Sequence, residues 1–154
     1  MESTAAIRFA RRWQFVRELT LSLLEAFNDD DLSFTPGEGL GILGMQFRHL
    51  GRVECNYVLA LRTGHIEFGD PHKRADDPDL AGLLAYLQLA DDELWSALKA
   101  LEWETVIDWF GEPVDVDEHL HRMTQHETLH HGQLVVYVQA LGRKFPTPWA
   151  AYGL

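Results

Sequence analysis

His126 and His130 stand four residues apart in the segment His-Glu-Thr-Leu-His-His-Gly-Gln, residues 126–133. On a helix that interval stacks both imidazoles on one face, spaced so that two ring nitrogens can share a single metal ion. The same letters spell H-E-x-x-H, the zinc-protease motif in which the Glu, here Glu127, is the general base. The pair therefore points to a metal and leaves open what the metal would do. For each imidazole the alternative is a core residue satisfied by hydrogen bonds, which is the commoner fate of a single inward-facing His.

A helix must carry these residues, and Asp117 to Leu141 has the required apolar period. At about 100° per residue, Leu120, Met123, Leu134, Val138 and Leu141 fall in one arc with His130 inside it. His126, His119 and Tyr137 fall along the edge of that arc. Three further stretches carry helical periodicity. Thr4 to Phe27 repeats Ile7, Trp13, Val16, Leu19, Leu23, Leu24 and Phe27 on one face. Leu40 to Arg62 places Ile42, Met45, His49, Val53, Asn56 and Ala60 near one line, and Thr63-Gly64 closes it. A third helix, with Asp77 as N-cap and Pro78 in its first position, runs to about Leu101.

Between the third and fourth helices the pattern changes. Thr105 to Phe110 is β-prone, and Gly111-Glu112-Pro113 turns the chain toward Val114 and Val116, which predicts a short extended excursion or hairpin. Asp115 or Asp117 caps the final helix, Gly142 stops it, and Pro146 and Pro148 prevent its resumption. Four amphipathic helices in a chain of this size predict an all-α, four-helix bundle forming a single domain over residues 1–154.

That architecture brings a third imidazole into view. His49 occupies the apolar line of the second helix and is the candidate for a further ligand. The protease reading lacks such a completion downstream, because no Asp or Glu follows Glu127 and no His follows His131. It also lacks a sheet edge to hold an extended peptide. Glu127 is then either a residue that orients a ligand or ordinary helix filler. Gln133 and Tyr137 lie close enough in sequence to hydrogen-bond near a site on this helix. His65, His72 and His121 fall in loops or on the far face and are expected in solvent. Cys55, the only cysteine, excludes an intrachain disulfide and a zinc cluster built on cysteines, and reads as a small buried apolar residue.

The formal net charge of −11 argues against nucleic-acid phosphates and anionic lipid as partners. No apolar run approaches the roughly 20 residues of a bilayer span. Arg8, Arg11 and Arg12 are interleaved with Phe9, Trp13 and Phe15, unlike a signal peptide, so a cytoplasmic location is expected.

With His49 on the second helix and His-x-x-x-His-His-Gly-Gln on the fourth, the chain resembles the DinB-like superfamily of helical-bundle metalloenzymes over nearly its whole length. That family carries a His and, four residues later, His-Arg-Gly-Gln. His126, His130, Gly132 and Gln133 match it, and His131 stands where Arg is usual. Leu141-Gly142 followed by Pro146, Pro148 and Trp149 is also family-like. The resemblance implies that His49, His126 and His130 form a facial triad on a divalent ion, with water completing its coordination. Characterised relatives include thiol transferases and a thiol-dependent isomerase, in which the metal holds a small thiol as its thiolate.

The favoured expectation is a metal-dependent transferase activating a low-molecular-weight thiol toward an electrophile, with zinc as the first choice and nickel as an alternative. A different class competes with it, a stress-associated bundle that binds metal without turnover. A di-iron oxygen carrier is a third reading and needs ligands drawn from Glu54, Glu118 or His119. Any of these is compatible with a homodimer through a helix face.

Overall fold

A computed structural model describes residues 4–72 and 79–154. Helix α1 spans Thr4–Glu25, α2 Leu43–Thr63, α3 Leu80–Ala100 and α4 Val116–Ala140. Between α3 and α4 lies one antiparallel hairpin, β1 Val106–Trp109 and β2 Glu112–Asp115. The fold is all-α in class, with the hairpin at the predicted excursion. Helix α1 packs on α3 and α4, and α2 packs on the same two, so α1 and α2 face each other across a diagonal.

Local chemistry sets the helix ends. Helix α1 stops at Glu25, two residues short of the periodic pattern, because Asn28 opens a 3-10 turn over Asp29–Ser33. The Asn28 side chain accepts from the Asp31 amide at 3.1 Å while the Asp31 carboxylate accepts from the Asn28 amide at 2.9 Å, a reciprocal cap. Helix α2 begins at Leu43 instead of Leu40. The Tyr137 hydroxyl reaches the carbonyls of Leu40 and Gly41 at 2.6 and 2.9 Å and holds those residues in a loop. The expected Asp77-Pro78 start of α3 lies outside the described residues; the cap seen is Asp79, whose carboxylate accepts from the Gly82 amide at 2.7 Å. Asp115 caps α4 by accepting from the Glu118 amide at 2.8 Å. Gly142, at φ 63°, ends α4 as Arg143 and Gly142 donate back to the carbonyls of Val138 and Gln139.

In the hairpin, Phe110 and Gly111 take φ of 54° and 97°, the sign both central residues of a tight I′ turn require. The amides of Ile66 and Asp108 bond across to the carbonyls of Asp108 and Gly64, which ties the hairpin to the end of α2.

The apolar interior falls into two main parts. One, beside the hairpin, gathers Trp13, Tyr57, Val58, Leu94, Ile107, Leu120 and Met123. The other gathers Leu23, Phe47, Leu50, Leu87, Leu134, Val138 and Trp149. Two predicted stripes are rotated from their true faces. Ile7, Ile42 and Met45 are exposed, whereas Arg17, Leu43 and Phe47 are buried. Among the described residues no helix is long and apolar enough to cross a membrane.

Candidate metal centre

His49 on α2 and His126 and His130 on α4 converge at the seam where those helices pack. One ring nitrogen from each lies within 4.8 Å of the others. The ring centroids are 4.6 to 5.1 Å apart, and Nε2 of His49 stands 3.2 Å from Nε2 of His126. Two ligands at about 2.0–2.1 Å from one ion sit roughly 3.0–3.4 Å apart, so this pair already has the spacing of co-ligands.

The seam differs from the pattern read along α4. His49 and His126 are partly exposed, while His119 and Tyr137, expected at the edge of the buried arc, are fully buried. The buried stripe of α4 runs through Leu120, Met123, Glu127, Leu134 and Val138 and leaves the triad at its margin. That margin suits a metal, because an ion can reach it from solvent.

Burial keeps the three rings neutral. Burial pushes the imidazolium pKa of His49 and His126 down to about 4, with neighbouring His130 adding to the effect in each case. His130 is lowered by burial as well, partly offset by Gln133. All three are therefore neutral at pH 7. Nδ1 of His130 and the side-chain oxygen of Gln133 are both shielded from water, and Gln133 is the group that supports the His130 ring. An amide oxygen beside a ring N–H fixes the tautomer whose other nitrogen has a free lone pair. At His49, the Arg52 guanidinium lies 3.1 Å from Nδ1 and can only donate, so the His49 proton sits on Nε2 and points at His126. A cation at this place would replace that shared proton, with Arg52 turned away. The donor set of three convergent imidazole nitrogens, with Gln133 behind His130, fits a divalent ion.

Glu127 and Tyr137 do not reach the triad. The Tyr137 hydroxyl is spent on the Leu40 and Gly41 carbonyls. Glu127 points into the bundle, where it accepts from Arg17 Nη1 at 3.0 Å and from the Thr20 hydroxyl. The general base of the protease motif is thus turned away from the imidazoles beside it. Arg17 also donates to Glu54, and to Asp91 at 3.3 Å. Burial opposes the Arg17 charge, but Glu127, Glu54 and Asp91 outweigh it. Burial raises the pKa of Glu54 and Glu127. This belt of charge separates the two halves of the apolar core. Sequence reasoning missed it, although Arg17, Glu54 and Glu127 each interrupt an apolar helix face.

His131 belongs to the same belt. Its Nε2 lies 2.7 Å from the Thr20 hydroxyl, which itself donates to Glu127, so His131 is the donor. Its ring meets Trp149 edge-on. The di-iron ligands do not assemble: Glu54 is paired with Arg17, Glu118 with Arg122, and His119 is occupied on both nitrogens. His119 accepts from Trp109 Nε1 at 2.9 Å and donates to the Tyr57 carbonyl at 3.0 Å. His65 and His121 are exposed as expected.

Fold and site together define a four-helix bundle with a three-histidine cluster at one helix seam. The DinB family model matches residues 1–152, and the chain belongs to the DinB family. Two solved structures share the fold. A DinB-like protein from Bacillus cereus superposes with a TM-score of 0.75 at 21% identity, covering 90% of this chain and 93% of that one. A DinB-like protein from Bacillus subtilis gives 0.75 at 19% identity, with 92% and 97% covered. The comparison with curated proteins gave no match.

Proposed function

We propose that His49, His126 and His130 hold one divalent cation, zinc in preference to nickel, and that the site activates a low-molecular-weight thiol for transfer to an electrophile. The observation that carries this reading is the convergence of three neutral imidazoles, one nitrogen from each within 4.8 Å of the others. A cation bound there supplies Lewis acidity, so that a thiol coordinated to it gives up its proton at neutral pH.

The surroundings favour a thiol over activated water. Peptide hydrolysis needs a carboxylate base beside the ion, and Glu127 is committed to Arg17 and Thr20. A thiol needs no such base. The Gln133 side chain supports the His130 ring, and His49 and His126 are only partly buried.

The same lack of a proton-shuttling group at the triad favours the second reading, a bundle that binds metal without turnover. Assay of the zinc-loaded chain against a panel of thiols and reactive electrophiles separates the two. Turnover that chelation abolishes and that fails in His130→Ala supports the transferase. A zinc-saturated chain inert with every pair supports the binding protein.

A further inference from the structure

We propose that Cys55, His72 and Glu93 form a second cation site, selective for a thiophilic divalent ion such as zinc, that fastens the segment following α2 to the bundle at His72. Cys55 comes from α2, Glu93 from α3, and His72 from the connection between them. The thiol sulfur, one imidazole nitrogen and one carboxylate oxygen all lie within 4.8 Å of one another. Cys55 is six residues beyond His49, a rotation of about 240° around α2, so this cluster faces a different side of the helix from the triad.

The Tyr86 side chain hydrogen-bonds the Cys55 sulfur, and two features of the remaining cluster suit an ion better than a self-contained hydrogen-bond network. Nε2 of His72 is cut off from solvent and has no hydrogen-bond partner, an arrangement that costs stability unless something else binds it. Its distance to Glu93 Oε1 is 3.5 Å, long for a hydrogen bond but close to the roughly 3.3–3.4 Å separating a nitrogen and an oxygen on one tetrahedral zinc. His72, expected in solvent, is only a quarter exposed, with its ring edge-on to Tyr86.

The ligand types set the choice of ion. A sulfur and an imidazole among three donors disfavour magnesium and calcium, which take oxygen, and favour zinc. Thiolate and carboxylate together carry two negative charges, which a divalent cation neutralises in a buried place. Burial and the charges of Glu54 and Glu93 push the Cys55 thiol up to about 12, so an unmetallated Cys55 is inert; coordination to a cation reverses that. Glu93 and His72 are both about a quarter exposed, which gives the ion a way in.

Cobalt(II) titration of the metal-stripped chain tests the site, because a thiolate ligand produces a near-ultraviolet charge-transfer band that imidazoles alone do not. The expected result is such a band in the unaltered chain, retained in His126→Ala and lost in Cys55→Ser. His72→Ala should weaken the cobalt binding that produces the band by more than roughly 10-fold. Circular dichroism establishes that each variant is folded, and if Cys55→Ser is not, His72→Ala and Glu93→Gln still decide the matter. Saturation of the unaltered chain without the band overturns the proposal. So does a band of undiminished affinity in folded His72→Ala and Glu93→Gln.

Discussion

Arg17 Nη1 donates to Glu127 Oε1 at 3.0 Å within the bundle, and Glu127 is the residue that follows His126. One turn of α4 therefore serves two purposes. Its seam-facing side presents imidazoles, and its inward side anchors α4 to α1 through a charge pair. Because Arg17 also binds Glu54 of α2 and Asp91 of α3, a single guanidinium touches a carboxylate on each of the other three helices.

Removing Arg17 should therefore be costly. Arg17→Met leaves Glu54 and Glu127 without their counter-charge in a dry interior, with an expected loss of about 3–5 kcal/mol in urea denaturation. Changing Arg17, Glu54 and Glu127 to Met together should recover most of that loss, since well-packed apolar groups replace buried ions with little penalty.

His119 offers a contrast to the triad. His119→Leu strands the Trp109 indole N–H, while the Tyr57 carbonyl keeps its place in the α2 ladder, at an expected cost of roughly 1–3 kcal/mol. Zinc content after dialysis should be unchanged in this variant.

Acid should destabilise the metal-free chain in a defined window. His119 and His131 have folded-state pKa values of about 4 against an ordinary 6.5, and burial is the main cause for both. Below pH 6.5 the unfolded chain takes up protons that the folded chain refuses, so stability present above 6.5 falls as the pH drops toward 4. Each of these two buried rings accounts for at most on the order of 3 kcal/mol across that range. Urea midpoints measured from pH 7.5 downward check the sign, and His119→Leu should flatten the slope.

Gln133 and Tyr137 should separate cleanly. Gln133→Leu removes the amide beside His130 and should weaken zinc binding by about 10–100-fold. Tyr137→Phe should leave zinc affinity alone and cost about 1 kcal/mol, since its hydroxyl holds the loop before α2 and the Gln46 side chain. Competition titration against a zinc chelator, with thermal unfolding alongside, reads both.

The sequence shows the helices plainly because apolar residues at three-and-four spacing leave a strong mark. The hairpin is legible from Val106, Ile107 and Gly111, and the three imidazoles from the His126–His130 interval together with an unexplained His49. What escapes is non-local. The start of α2 depends on a Tyr137 hydroxyl 97 residues away from Leu40. Helix phase is misjudged where a few apolar residues, such as Met45, face solvent. The charged belt is hidden because Arg17, Glu54 and Glu127 resemble surface residues until all are seen to interrupt buried faces.

Anomalous diffraction at the zinc edge from zinc-soaked crystals tests the central claim most directly. The expected result is a peak enclosed by His49, His126 and His130, with three nitrogens at about 2.0–2.1 Å. Zinc-saturated crystals with no peak between those rings would contradict it.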